Sequence, residues 1–378
     1  MRSERDEIVA TVRDFVERDV VPAASELEHA DEYPEELVAT MRSLGLFGAT
    51  VPEAYGGLGL DLVTYALLNV ELSRGWMSLS GVLNSHAVAA WLIEAFGTDN
   101  QRERLLPALA SGEPRAAMAL TEPHAGSDLR SIRTRATREG EEYVVSGEKL
   151  WITNGLRAGL VALLVRTEAG ESILLVEKEP GRADLPGLAI AQLAKLGYKG
   201  IESVSIAFDG FRCPVSSLLG SDEGRGLAQI LAGMELGRIN IAARGVGVAT
   251  AAFESAIRYA QERVAFGKPI AEHQAIQLVL AQMATKIEAA RLLTLDAARR
   301  KEAGERADLE AGMAKYFASE TAAEVALDAM RVLGGYGYSP EFVVERLYRD
   351  APLLIVGEGT NEVQQLVIAR RLLERYAI

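Results

Sequence analysis

The run Tyr143-Val144-Val145-Ser146-Gly147 leads into Leu150-Trp151-Ile152-Thr153 and stops at Asn154-Gly155. β-Branched and aromatic residues at this density favour extended chain, and Asn-Gly is a strong tight-turn signal. Leu160 to Val165, Ile173 to Val176 and Val204-Ser205-Ile206-Ala207-Phe208 repeat the pattern, the last predicted to end at Asp209-Gly210. Short β-rich runs between Gly, Pro, Asn and Asp predict a compact β-domain over residues 113–222.

On either side the rhythm changes. In residues 1–112 apolar side chains recur at three- and four-residue spacing, as at Ile8, Val12, Phe15 and Val16, which predicts helices. Pro22, Tyr33-Pro34 and the turn-rich Pro52-Glu53-Ala54-Tyr55-Gly56-Gly57 separate them, and a further helix is predicted from Ser80 to Phe96, stopping near Gly97. In residues 223–378, Ala-rich stretches from Arg238 to Arg263, Ala275 to Arg300 and Ala311 to Val332 have lengths that suit antiparallel bundle helices. The expectation is an α+β protein: N-terminal helical domain, middle β-domain and C-terminal four-helix bundle.

The bulk numbers narrow the function. A chain of 378 residues can bury a large core. A net charge of −13 argues against general nucleic-acid or anionic-membrane binding, although a local basic pocket can still hold an anion. One cysteine, Cys213, forms no internal disulfide, so nothing suggests an oxidising compartment. The start of the chain is charged and acidic, unlike a secretory or transit signal, and no stretch reaches the roughly 18 apolar residues of a membrane span. A cytoplasmic location is expected. His29, His86, His124 and His273 are scattered, which predicts no metal site.

Three stretches hold candidate chemistry. Thr121-Glu122-Pro123-His124-Ala125-Gly126-Ser127-Asp128 combines hydroxyls with turn formers, so its backbone can approach a flat ligand; taken alone, such loops are more often only turns. Trp151 and Thr153 fall on one side of a strand and could wall an aromatic cofactor, though a strand tryptophan is more often core. In Val356-Gly357-Glu358-Gly359-Thr360-Asn361-Glu362-Val363-Gln364, the glycines leave the Glu358 carboxylate clear, and the apolar run Leu353 to Val356 disfavours its charged form. A solvated loop glutamate ahead of a helix is an equal alternative on these residues alone.

Taken together these stretches resemble the acyl-CoA dehydrogenase family, with a short- or medium-chain character, over nearly the whole chain. The matching pieces run in family order: Thr121 to Asp128, Trp151 to Asn154, Lys195-Leu196-Gly197, Gly237-Arg238-Ile239, Glu262-Arg263 with Phe266-Gly267, Gly334-Gly335-Tyr336-Gly337, Arg349-Asp350-Ala351 and Glu358-Gly359-Thr360.

The resemblance implies a FAD enzyme of fatty acid metabolism in which Glu358 removes the α-proton of an acyl-CoA while the β-hydrogen leaves as hydride to flavin N5. A 2,3-enoyl thioester is the implied product. The FAD ribityl hydroxyl and the Glu358 backbone N–H are expected to stabilise the developing enolate. Met118, Leu120, Thr121, Ser127, Trp151, Ile152 and Thr153 are the implied flavin contacts, with Thr360 and Glu362 beside them. Arg263, Phe266, Gln274, Arg331, Gly334 and Gly335 match the adenosine site, which in the family crosses a subunit interface. A homo-oligomer is therefore implied, a dimer at least and by analogy a tetramer. Arg331 departs from the family's usual glutamine and adds charge near the pyrophosphate. Ser127, Glu235, Arg238, Gly357 and Gly359 match thioester or pantetheine contacts, with a helix-start ion pair as the plain alternative for Glu235 and Arg238.

Some family members carry the base just before the arginine of the Gly-Arg-Ile motif; Gly237 cannot serve there. Gly357 stands where the family often has tyrosine, which leaves room for a branched, cyclic or bulky acyl group. The resemblance also admits an acyl-CoA oxidase, a dehydrogenase of carrier-protein thioesters and, from another class, a non-catalytic scaffold subunit. Retention of Glu358, Thr121, Ser127, Trp151 and Arg263 speaks against the last. The chain ends soon after the last predicted helix, which favours reoxidation by an electron-transfer flavoprotein.

Overall fold

The computed structural model describes residues 4–377. Helix α1 (Glu4–Phe15) continues through a π-helical turn at Val16–Val20 into α2 (Val21–His29), followed by α3 (Glu35–Ser43), α4 (Leu62–Phe96) and α5 (Asp99–Ser111). Side-chain caps fix where the last two begin. Asp61 accepts the Thr64 N–H at 2.9 Å, and Thr98 with Gln101 closes a reciprocal capping box. Helix α4 begins at Leu62, well before the predicted Ser80, and is interrupted at Trp76 (φ −159°, ψ 110°). Nearly all of it is buried, so it has no polar face, and periodicity understates its length.

Eight strands follow: β1 (Ala116–Ala119), β2 (Arg135–Glu139), β3 (Glu142–Thr153), β4 (Leu160–Thr167), β5 (Gly170–Glu177), β6 (Asp184–Leu185), β7 (Leu188–Gln192) and β8 (Ser203–Pro214). They form one mixed sheet in the order β1-β4-β2-β3-β8-β7-β6, with β5 paired to β4. The turn read at Asn154-Gly155 is present, whereas the strand end read at Asp209-Gly210 needs correction. Asn154-Gly155 joins no hairpin, because β3 pairs with β2 and β8 while β4 pairs with β1, β2 and β5. Asn154 is instead buried in left-handed backbone, its Nδ2 donating to Val82 O at 2.8 Å and so tying the turn to α4. Nor does β8 end at Asp209-Gly210. It runs on to Pro214, with Gly210 at φ +67° absorbing a register shift opposite Val145 and Ser146.

The C-terminal helices are α6 (Gly226–Glu262), α7 (Gln274–Glu302), α8 (Asp308–Leu333), α9 (Val344–Val356) and α10 (Asn361–Arg375), with a small hairpin of β9 (Val264–Ala265) and β10 (Lys268–Pro269) before α7. Helix α6 starts at Gly226 rather than near Arg238, because Gly226, Gly233 and Gly237 disguise its first turns. Ala242 and Ala243 bury against Ala311, Ala314 and Ala318, so the long helices approach closely. Helix α4 packs along α6 and brings the N-terminal layer beside the loop joining α9 to α10.

Candidate active site

Glu358 occupies that loop at φ +52°. Left-handed backbone at a non-glycine residue is strained and persists where the surroundings determine it. Here the surroundings are bonds from α8. Lys315, fully buried, donates from Nζ to Ile355 O at 2.9 Å and to Asn361 Oδ1 at 2.7 Å, holding the loop at both ends. Ser319 Oγ donates to the same Asn361 oxygen at 3.1 Å, and Asn361 Nδ2 donates to Glu320 Oε1 at 2.7 Å. Gln364 Nε2 reaches Glu358 O at 3.4 Å and Gly359 O at 3.3 Å, and Thr360 caps α10 by accepting the Val363 N–H.

The carboxylate points toward α4 and α6. Oε1 accepts from Asn84 Nδ2 at 2.9 Å. A Cβ placed on Gly237 would lie 2.8 Å from Oε2, so the glycine leaves the space that the carboxylate fills. The alternative base position and Glu358 thus converge on one point in space. Burial pushes the Glu358 carboxyl above its usual range, against the Asn84 hydrogen bond and the charges of Arg244, Arg238 and Lys315. Burial also lowers the Lys315 ammonium to about 8.

The β-domain offers a second edge. Met118 lies on β1; Leu120 and Thr121 follow half-buried, and Ser127 is exposed. Lys149, wholly buried on β3, holds this segment by donating to Leu120 O at 2.9 Å and Glu122 Oε1 at 2.8 Å. Burial alone would raise the Glu122 carboxyl, but Lys149 and the Arg133 and Thr134 N–H groups outweigh it and keep it at about 2. Trp151 sits in left-handed backbone and is 55% exposed, and Thr153 is half-buried. Ile152 departs from expectation. Its side chain is in the β-domain core, so only its backbone can face a cofactor.

Arg263, at the end of α6, shares a cleft of about 600 Å³ with Tyr259, Ile270, Gly334, Gly335 and Tyr336. Gly334 has φ +63° and ψ −132°, a conformation closed to most side chains, and nothing lies within 4 Å of a Cβ on Gly334 or Gly335. The remaining residues of this group lie outside the cleft. Phe266 is 96% exposed at φ +52°, Gln274 is exposed at the start of α7, and Arg331 is exposed beside Asp328 at 3.2 Å. Glu362 is exposed in the first turn of α10, its carboxyl held low by its own N–H and the Thr360 hydroxyl.

Glu235 and Arg238 are not a helix-start pair. They sit within α6, and Glu235 is bonded to Lys301 at 2.7 Å while Arg238 is buried with Nε lacking a protein acceptor. Asn84, Lys315, Asn361, Gln364, Tyr198 and Arg244 were not foreseen. Lys315 and Arg244 had a signal, a charge set within an alanine-rich buried stripe. Among the described residues, Glu28, His29 and Glu345 have metal-like spacing, but Arg349 donates to both carboxylates, at 2.9 and 2.7 Å. No helix among them is long and apolar enough to cross a membrane.

The candidate site is thus a loop carboxylate held between helices α4 and α6 among buried cations, beside a β-domain edge that presents an exposed tryptophan. The chain belongs to the acyl-CoA dehydrogenase family, whose members use FAD. The family's N-terminal domain matches residues 2–113, its middle domain 117–211 and its C-terminal domain 224–373. An acyl-CoA dehydrogenase of Bacillus subtilis is 42% identical over 96% of both chains. A (2S)-methylsuccinyl-CoA dehydrogenase of Cereibacter sphaeroides is 41% identical over 98% of this chain and 70% of its own. The butyryl-CoA dehydrogenase of Megasphaera elsdenii has a superposable fold, with TM-score 0.94 and 34% identity over 99% of both chains. The residues present fit FAD. The Arg263 cleft offers a cation and open glycine backbone for a pyrophosphate, and the exposed Trp151 indole offers a face for a flat ring system.

Proposed function

We propose that this enzyme converts an acyl-CoA thioester to its 2,3-enoyl-CoA, with Glu358 removing the α-proton. The supporting observation is the strained loop that presents Glu358. Helix α8 fixes it at both ends, Gly237 clears space for its carboxylate, and burial raises its proton affinity toward that of a working base. Asn84 aims the carboxylate, and Arg238 adds positive charge where the enolate develops. When bound, FAD supplies the acceptor for the β-hydride.

The flavin ring is assigned to Met118, Leu120, Thr121, Ser127, Trp151, Thr153 and the Ile152 backbone, with Thr360 and Glu362 near it. The adenosine and pyrophosphate are assigned to Arg263, Gly334 and Gly335, completed across a subunit interface by Phe266, Gln274 and Arg331. Such exposure at Phe266 favours a homodimer at least and a homotetramer by doubling. Ser127, Arg238, Gly357 and Gly359 are assigned to the thioester, whereas Glu235 would first have to leave Lys301. An electron-transfer flavoprotein is the proposed acceptor, and the cytoplasm the proposed location.

The test is anaerobic titration of the purified flavoprotein with acyl-CoAs. Bleaching of the oxidised flavin band by at least one thioester is expected. A protein that takes up no FAD, or a Glu358→Gln variant that bleaches at the parent rate, would overturn the proposal.

A further inference from the structure

Arg244 lies on α6, two helical turns beyond Gly237 and so about 10 Å along the axis. Helical side chains lean toward their own N-terminus, which tips Arg244 back toward the Gly237–Glu358 contact. In agreement, its charge acts directly on the Glu358 carboxylate. The residue is 2% exposed. Its guanidinium stacks on Tyr198, with Cζ 4.8 Å from the ring centroid. Yet Nε and Nη2 have no protein acceptor.

A buried guanidinium with two idle donors is costly, and Arg346 shares that state. The carboxylates acting on Arg346, however, are Asp350, Glu28 and Glu345, whereas Arg244 acts on Glu358, so its idle donors belong to the candidate site. Three cations, Arg238, Arg244 and Lys315, act on the single carboxylate of Glu358. Lys315 is already occupied with the loop, and Arg238 also senses Glu235 and Asp308. Arg244 is therefore the cation best free to take an outside anion. Its neighbours are polar as well: Asn84 presents an Oδ1 with no protein donor, and Tyr198 and Tyr65 place ring and hydroxyl nearby. A site built to hold an unbranched alkyl tail would be lined by aliphatic side chains instead.

Resting on Glu358 as the base, we propose that Arg244 sets acyl specificity by binding a carboxylate at the far end of the acyl group, so that the substrate is the CoA monothioester of a short dicarboxylic acid. The backward lean of Arg244 limits the span from α-carbon to terminal carboxylate to a few bonds. The carboxylate would meet Nε and Nη2 side by side, the arrangement a guanidinium fork favours.

The experiment compares paired thioesters of equal length, succinyl-CoA with butyryl-CoA and glutaryl-CoA with pentanoyl-CoA, by anaerobic flavin reduction. It is paired with calorimetric binding of the non-oxidisable thioethers S-(3-carboxypropyl)-CoA and S-butyl-CoA. The parent enzyme is expected to favour the acidic member by at least about 100-fold in kcat/KM, with a matching difference in Kd. Arg244→Gln should collapse that ratio, and Arg244→Lys should restore part of it. If butyryl-CoA bleaches the flavin as well as succinyl-CoA, or Arg244→Gln leaves the ratio intact, the inference fails while Glu358 as base stands. If no thioester bleaches the flavin, both fail together.

Discussion

Around Glu358 the supports come from within the chain: α8 grips the loop at both ends, α4 supplies Asn84, and α6 makes room with Gly237. Around Arg263 the chain does nearly the reverse. Its cleft is open, two glycines lie bare, and Phe266, Gln274 and Arg331 face away into solvent. The first region is preorganised and keeps a strained residue in place. The second has its groups dispersed and needs further surface to gather them. If the proposed roles hold, chemistry that depends on tenths of an ångström sits where the fold is over-determined, while cofactor retention is left to a surface that assembly would complete.

Three substitutions probe the first half of that contrast. The largest effect is expected from Glu358→Gln, which keeps size and hydrogen bonding but removes the proposed base. Flavin reduction should slow by roughly 10²–10⁴-fold or more while bound FAD is retained. Parent-like reduction in a stopped-flow trace would place the base elsewhere. Gly237→Ala comes next, because its Cβ would stand 2.8 Å from Oε2 and push the carboxylate aside. A fall in kcat of about 10- to 100-fold is expected, with FAD content unchanged. An unaltered kcat would show that the carboxylate need not sit where the loop holds it.

Lys315→Met tests the loop through pH. As the proposed base Glu358 would work ionised, so kcat/KM should fall as pH drops through its raised pKa, at a limb above the ordinary value of about 4.3. Lys315 favours the ionised form, so its removal should move that limb to higher pH. A limb that stays in place or moves to lower pH would show that Lys315 serves the loop only as an anchor.

How much of this was legible in the sequence follows from the same contrast. Flanking glycines after an apolar run made Glu358 a candidate, but that local pattern suited a solvated loop glutamate equally, and the family resemblance decided between them. Its anchors left no such pattern, since Lys315 and Asn361 meet only after α8 and α10 pack, and Asn84 comes from a helix far back in the chain. The three-layer order of the fold was readable from side-chain period. The start of α4 was not, because a helix buried on all sides has no amphipathic rhythm. Asn154-Gly155 and Asp209-Gly210 carried true turn chemistry, but pairing of β3 with β8 spent it on a buried corner and a bulge rather than on hairpins. Ile152 was grouped with its neighbours by sequence proximity, and strand alternation turned it into the core.

The open cleft yields smaller effects. Arg263→Ala removes a charge beside exposed glycine backbone, and about a tenfold loss of FAD affinity is expected from one charge-assisted contact. Ultrafiltration of diluted holoenzyme, followed by absorbance of the released flavin, measures it. Retention equal to the parent would mean that the pyrophosphate lies elsewhere.

Arg331→Gln should have the least effect, although the family's usual glutamine at this position makes it an obvious substitution to try. The Arg331 side chain is 70% exposed and bonds Asp328 from one helical turn away, an arrangement generally worth under about 1 kcal/mol. Its charge stands in water, where salt screens it within about 8 Å. FAD affinity is therefore expected to change by less than about threefold, and the difference should vanish as salt is raised. A larger loss that persists at high salt would mean that Arg331 is desolvated in the working assembly. In that case a second subunit covers it, and the dispersed half of the comparison would become as enclosed as the loop around Glu358.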